Sequence, residues 1–419
     1  MVPEVLRYRS FRDVWLASLA SNAGSWLQVV ASGWLILQIT GSPAAVGALA
    51  LVTRAPAIGL STVAGQLADR FDRRAVGIWT FLLQAAAAGA LALITGLTGP
   101  EVWSIYALTF LVGVGFALGL PAMLALIPTL VPGPRLSQAV SLNAAGINVA
   151  RLAGPAVGGA TLALFGATVC FAVNAVSFLA LVVVLLRLPA GRAVPAARAG
   201  VGMAAALRYA VRDEGMRRLL VGMALFTALA SPIQELAPVV ADRLDAGAAG
   251  LGLLLGAMGG GALVGAWLLE RLHGGGLPRH RALPIATVTF SAGIAVVAVA
   301  PWLWLALAGM AFAGAFWIWM FAATNTAIQL RAPRPLLGRM LGLYQLSVIG
   351  PIAVGSTIAG AVADGAGIAP TLAGCAVLLA LWGLWSLRNP VPSIDGQASA
   401  NRATASNTPA GTTPSTETK

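Results

Sequence analysis

Between Pro43 and Leu97 the chain holds two long apolar stretches joined by a knot of charge. The first, Pro43 to Ala64, carries Arg54 alone; the second, Ala75 to Leu97, carries no charge. Between them stand Asp69, Arg70, Asp72, Arg73 and Arg74. About 20 apolar residues cross a bilayer as a helix. In lipid the backbone must satisfy its own hydrogen bonds, so a helix is the form such a segment takes. The stretch therefore predicts two membrane helices with a charged surface loop between them.

The same alternation runs on. Twelve spans are expected, at about 14–38, 43–65, 75–97, 102–126, 137–162, 166–187, 216–240, 248–270, 282–300, 302–328, 337–362 and 368–387. Three connections are tight and turn-like: Thr40-Gly41-Ser42-Pro43, Thr98-Gly99-Pro100 and Phe165-Gly166. Only 10% of the residues are charged, where a soluble domain carries about 25%. The many glycines suit helices that approach closely in lipid.

A net charge of +12 would suggest nucleic acid if the charges were clustered for it. They are not. Of the 26 basic residues, 23 fall on one side of the expected membrane, and Arg243 alone falls on the other. Arg54 and Arg151 lie inside spans. This is the positive-inside distribution, and it predicts both termini in the cytoplasm. It removes the nucleic-acid reading. No cleavable signal peptide is expected: the arm ending at Asp13 leads into a span without a cleavage-type end. Cys170 and Cys375 sit in apolar runs and read as small apolar fillers. His273 and His280 share a loop with Glu270 as the nearby carboxylate, and no metal site is expected.

Four parts are expected: a six-helix bundle over 1–187, a cytoplasmic linker over 188–214, a second six-helix bundle over 215–389, and a disordered cytoplasmic tail over 390–419. In the linker Met203, Leu207, Ala210 and Val211 share one helical face, with Arg208, Arg212 and Asp213 opposite; a short helix at the membrane surface is expected. The halves repeat. Gly154-Pro155-Ala156-Val157-Gly158-Gly159 in the fifth span has a counterpart, Gly350-Pro351-Ile352-Ala353-Val354-Gly355, in the eleventh. Duplicated halves are typical of transporters.

Charges inside lipid are costly and usually functional. Arg54 lies deep in the second span and Arg151 midway along the fifth. Glu235 stands between Pro232 and Pro238 in the seventh, and it is the one acid placed well inside. A carboxyl desolvated there could bind and release a proton, while an arginine partner would favour the carboxylate. Glu235, Arg54 and Arg151 are thus the candidates for proton coupling; the plainer alternative is that Glu235 only neutralises an arginine. Gly154 and Gly158 form a small-residue face, and Pro155 removes an amide donor and predicts a bend. Asn22 and Trp26 in the first span, Asn148 in the fifth, and Trp317 and Asn325 in the tenth could line a cavity for a bulky, partly apolar ligand. For the tryptophans the alternative is packing or interface anchoring, as read for Trp302 and Trp304.

The charged loop resembles the one between the second and third helices of major facilitator superfamily transporters, whose pattern is Gly-x-x-x-Asp-Arg-x-x-Arg-Arg. Gly65, Asp69, Arg70, Arg73 and Arg74 match it. The Asp72 form is similar to the transmembrane secretion effector branch, with its enterobactin exporters and macrolide-efflux proteins. Ser21 to Gln28, Arg54-x-Pro56, and Gly338 to Tyr344 extend the resemblance over nearly all of 10–388. The run Ala150 to Gly159 resembles the antiporter motif of drug–proton exchangers, with Ala150 where the motif has Gly. The chain departs at Pro333 to Leu337, where relatives carry an acid, at Gly265 to Arg271, where the repeat of the loop motif is reduced to Glu270-Arg271, and in the fourth span, which lacks the arginine of many proton-coupled exporters.

The resemblance implies an all-α integral membrane protein of twelve helices in two pseudo-symmetric bundles. It implies a non-enzymatic transporter that moves a drug, macrolide or siderophore outward in exchange for protons. Gly65, Asp69, Arg70, Arg73 and Arg74 would form a cytoplasmic gate, with Asp69 at the start of the eleventh helix. Gly154, Pro155, Gly158 and Gly159 would seal the path against leak. The expected partners are a small-molecule substrate, protons and the lipid bilayer, with no nucleic acid, no cofactor, and a monomeric chain. Import, a membrane sensor and a membrane enzyme are the alternatives. Against an enzyme, no nucleophile–base pair or His/Asp/Glu cluster is visible in the sequence.

Overall fold

The structure is a computed structural model that describes residues 4–189, 203–273, 279–389 and 391. The expected tail, except Val391, and linker residues 190–202 lie outside that set.

All long elements are helices. They are α1 (Arg9–Thr40), α2 (Pro43–Gly59), α3 (Ser61–Arg70), α4 (Arg73–Leu97), α5 (Val102–Leu130), α6 (Leu136–Arg187), α7 (Met203–Arg212), α8 (Glu214–Ala230), α9 (Pro232–Glu235), α10 (Ala237–Arg243), α11 (Gly247–His273), α12 (Arg279–Val299), α13 (Leu303–Arg331), α14 (Leu337–Ala366) and α15 (Ile368–Arg388). The twelve expected spans map onto them in order. Three are broken. The second is α2 plus α3, with Pro56 one turn before the break. The fifth and sixth form one continuous helical trace, turning at Gly166. The seventh is α8, α9 and α10, interrupted where Pro232 and Pro238 withhold amide donors.

Local sequence sets the turns. Gly41 ends α1 at φ 63°, and Gly166 takes φ 79°, a region that glycine enters without a Cβ penalty. Ser42 then caps α2, accepting from the amide of Ala45, with Pro43 in the first turn. Asp72 caps α4 and Asp213 caps α8 in the same way. Left-handed glycine turns at Gly41, Gly99, Gly166, Gly247 and Gly367 close one end of the molecule. We call this the hairpin end. Opposite it lies the motif end, with Asp69, Arg135 and Arg331.

Within the described residues, eight helical stretches are long and apolar enough to cross a membrane, and a ninth if α2 and the rest of its bent pair count together. One of the eight, Gly133–Arg187, holds two expected spans. α1 is less apolar because its inward face is polar: Ser21, Gln28 and Ser32 are buried there. Gln28 accepts from Asn174 at 2.6 Å across the first bundle. Trp79, Leu164, Val176 and Trp304 point outward and are exposed. The molecule is thus polar at chosen places inside and apolar outside, the arrangement a lipid solvent favours.

The halves touch along two seams. α2 lies on α14, and α6 lies on α11. Glycines make both possible. A Cβ on Gly47 would sit 2.5 Å from the Ser356 carbonyl oxygen, and one on Gly159 would sit 2.0 Å from Gly252 Cα. Asp364 accepts from the Ser42 hydroxyl at 2.6 Å, placing a carboxylate of one half at the N-terminus of α2 in the other. These contacts lie toward the hairpin end. Toward the motif end, a Cβ on Gly65, Gly338, Gly342 or Gly350 would meet nothing within 4 Å. The hairpin end is shut and the motif end is open.

The linker helix forms as α7. Ala206 and Ala210 face the bundle, whereas Met203, Leu207 and Val211 are exposed. The expected apolar face is therefore split, with Ala210 turned inward. Asp213, after α7, is gripped by Arg331 of α13, whose Nη2 lies 3.0 Å from Oδ2. Tyr209 donates to the Arg331 carbonyl at 3.2 Å. A Cβ on Gly215 would lie 2.2 Å from the Arg331 guanidinium carbon, so glycine there makes room for the clamp. The hydrogen bond from Arg331 holds the Asp213 carboxyl below its ordinary value, reinforced by the Met216 amide. The sign follows. A depressed folded-state value stabilises above the unfolded value, near 3.9, and that stability is lost as pH falls through the folded value. Thermal stability should therefore be insensitive to this pair from pH 8 to 5 and should lose its contribution only in acid. Asp213→Asn should cost about 3 kcal/mol at neutral pH, because Arg331 stays nearly buried. Melting curves of the two proteins from pH 7 to pH 2 check this: the gap should be wide at 7, still largely present at 3.5, and should narrow toward pH 2.

Candidate functional site

A cavity of about 200 Å³ lies between the halves. α1, α2 and α6 contribute Trp26, Arg54, Arg151 and Pro155. α9, α11, α13 and α14 contribute Gln234, Glu235, Met258, Trp317 and Ile352. Each is there for a local reason. Trp26 lies flat on Gly154, where a Cβ would come within 2.7 Å of the indole. The antiporter-like glycine is therefore the seat of a cavity tryptophan. Gly158 meets the backbone of α1 at Leu27, and Gly159 meets Gly252 across the halves. Pro155 faces the cavity, and α6 keeps helical dihedrals through it, with Gly166 as the non-helical residue of that element.

Glu235 sits at the end of α9, between the two prolines that break this span. Its carboxylate meets Arg54 of α2: Nη2 to Oε1 is 2.6 Å and Nη1 to Oε2 is 3.5 Å. Arg54 also reaches the carbonyl of Ala50, one turn back, at 3.4 Å. The side chains are 22% and 13% exposed, and both line the cavity. This pair joins the halves. Ser231, which also lines the cavity, shares a hydrogen bond with Ser356 at 2.9 Å, which ties the end of α8 to α14 within the second half.

Of the expected cavity residues, Trp26 and Trp317 line it. Asn22, Asn148 and Asn325 are not among the lining residues. Asn22 donates to the Ser18 carbonyl in its own helix, and Asn325 accepts from Gln329. Trp317 packs against Phe226, Phe290 and Phe321, with ring centroids 5.7, 5.7 and 5.1 Å away. The expected proton-coupling trio, Glu235, Arg54 and Arg151, comes together at this one cavity. Gln234 and the α11 glycines were missed. Gly252, Gly256 and Gly260 recur every four residues, the small-residue spacing that could have marked a seam.

At the motif end, Gly65 has open space around it, and Asp69 and Arg70 are exposed. Arg73 donates to the Ala125 carbonyl at 3.0 Å, and Arg74 donates to the carbonyls of Leu185 and Leu186 at 2.7 and 2.8 Å. The partners of these two arginines are thus carbonyls at the ends of α5 and α6 rather than carboxylates. They complement the negative helix termini and tie the first half together. Asp69 makes no hydrogen bond or ion pair among the described residues, consistent with a motif end that stands open. If Asp69 meets the start of α14 when that end closes, Asp69→Asn should leave melting unchanged and slow transport about 2- to 5-fold, from the ~0.3–1 kcal/mol that a carboxylate gains at a helix N-terminus. An unchanged transport rate at equal expression would remove the gating role.

A family model described as transmembrane secretion effector matches residues 4–412. The multidrug efflux pump Tap of Mycolicibacterium fortuitum is 27% identical over 382 residues, covering 88% of this chain and 92% of Tap. The enterobactin exporter EntS of Citrobacter koseri is 30% identical over 410 residues, covering 92% and 95%. Among solved structures, a bacterial homolog of the human lysosomal transporter Spinster, inward-facing and unoccupied, matches with a TM-score of 0.71 at 14% identity over 91% of this chain and 96% of that one. A POT family transporter in complex with 5-aminolevulinic acid matches at 0.72 and 11% identity over 92% and 96%. With the fold, the shared cavity and the loop motif, these place the chain in one family: it belongs to the transmembrane secretion effectors of the major facilitator superfamily, and it is a multi-pass membrane transporter rather than an enzyme.

Proposed function

We propose that this transporter is a secondary active exporter of a small amphipathic organic compound, a drug, macrolide or siderophore, driven by proton entry. It works as a monomer in the bacterial cytoplasmic membrane, with both termini and the motif end in the cytoplasm. The carrying observation is the Arg54–Glu235 pair, which bridges the halves on the wall of a cavity shut at one end. An ionised Glu235 holds α9 to α2 while the hairpin end is closed. A proton taken up on Glu235 from outside, while the hairpin end is open, is released to the cytoplasm after that end shuts; the ionised carboxylate then pairs with Arg54, and cargo entering from the motif end breaks the pair so that the halves rock back. The hairpin-end seams then part, and the motif end closes on Asp69. The names of Tap and EntS support efflux, and drugs and siderophores as cargo classes.

Reconstituted vesicles test this. A panel of amphipathic dyes, macrolides and catechols should provoke proton movement only for compounds that the protein carries, and a pH difference should drive their accumulation. Orientation is read separately. Thr98→Cys, at an exposed hairpin-end turn, should label from outside intact cells, and Gln66→Cys should label only after the membrane is opened. Labelling of Thr98→Cys from the cytoplasmic face alone would invert the topology.

A further inference from the structure

The charges around the cavity do not cancel. Arg54 and Arg151 bring two positive charges and Glu235 brings one negative; the other lining residues are neutral. Arg54 already holds Glu235. Arg151 has neither a hydrogen bond nor an ion pair among the described residues, and it stands exposed on the cavity wall. The bias extends to the neutral groups. The indole N–H groups of Trp26 and Trp317 also lack side-chain partners among the described residues. Guanidinium and indole donate hydrogen bonds and cannot accept them. The cavity is rich in unused donors and poor in free acceptors. Its aromatic faces come from both halves, Trp26 from α1 and Trp317 with Phe321 from α13.

We infer that the cargo is an acceptor-rich organic anion with a flat aromatic body: a carboxylate, sulfonate or phenolate rather than a cation. This rests on the export reading and narrows it. A planar guanidinium binds a carboxylate with two parallel hydrogen bonds, and low-dielectric walls strengthen them. A cation would meet a net positive wall and would have to pull Glu235 away from Arg54. An anion leaving a negative interior moves down the membrane potential, as does a proton entering, so one field drives both legs of the exchange. Glu235 competes with the cargo for Arg54. Neutralising it should therefore tighten anion binding even where it stops transport.

The test uses three probes on one naphthalene body: 2-naphthoate, 2-naphthamide and 2-naphthylmethylammonium. Each is titrated into the full chain in lipid nanodiscs, with tryptophan fluorescence as the readout. 2-Naphthoate should bind at least about tenfold tighter than the ammonium, the least that one charge-assisted contact supplies. Arg151→Gln should lose that advantage and leave 2-naphthamide unchanged, Arg151→Lys should restore much of it, and Glu235→Gln should bind 2-naphthoate more tightly. The ranking on the unmodified chain needs no variant to fold. Equal or tighter binding of the ammonium, indifference of 2-naphthoate to Arg151→Gln, or no binding of 2-naphthoate would each overturn the assignment. Vesicle efflux with the same preparation keeps the two proposals apart. Efflux of cations only would leave export standing and remove the anion. Anion binding without efflux of any panel compound would do the reverse.

Discussion

Glu235→Gln should abolish pH-driven accumulation of substrate while leaving the protein folded and able to exchange ligand across the membrane. The amide mimics a carboxyl that is permanently protonated. It removes the charge from a part-buried pair whose members belong to opposite halves. Breaking such a pair is worth about 3 kcal/mol, roughly a 100-fold change in a two-state ratio. That free energy counts only while α2 and α9 stay together, so the variant should rest with the hairpin end open more often. The rival role, simple neutralisation of Arg54, gives a different outcome: the uncompensated guanidinium would lower expression and melting temperature. A well-folded Glu235→Gln protein that still concentrates substrate with a pH difference would show that the proton is carried elsewhere.

The second large effect is expected at Gly159→Val. A Cβ there would stand 2.0 Å from Gly252 Cα and 2.6 Å from its amide nitrogen. Both are backbone atoms of α11, so no side chain can swing aside. The two helices must separate, and the hairpin end loses one of its seams. Each half should still fold, because Gly159 faces the other half at this contact. Overpacking of this kind costs about 1–3 kcal/mol, which converts to roughly a 5- to 150-fold loss of the closed state. Transport should fall by that order, with Gly159→Ala intermediate. Normal transport by Gly159→Val would mean that α6 and α11 never need to meet this closely.

Much of this was legible in the residues. The spans followed from uncharged length, and the tight turns from Gly41, Gly99 and Gly166, because lipid leaves the backbone few choices. Glu235, Arg54 and Arg151 stood out because charge in lipid is costly. Their meeting was not legible, since it depends on how α9 is displaced by Pro232 and Pro238 and on which way α2 turns toward it. The asparagines failed as cavity markers for a related reason: Asn22 satisfies itself one turn back in its own helix, a local option that helical spacing does not reveal. Asp364 falls just beyond the expected eleventh span, at 337–362, where nothing in the sequence marks it out. Its role depends on the N-terminus of α2, 320 residues away in sequence at the Ala44 amide.

Alternating access requires opposed motion of the two ends. Spin labels placed at Ser42 and Gly365 report the hairpin end, and labels at Gln66 and Gly342 report the motif end, after replacement of the buried Cys170 and Cys375. Distance distributions are then compared between the unmodified Glu235 protein and Glu235→Gln. The prediction is a longer hairpin-end distance together with a shorter motif-end distance in the variant. Distances that change in the same direction at both ends, or that do not change at all, would contradict alternating access gated by the Arg54–Glu235 pair.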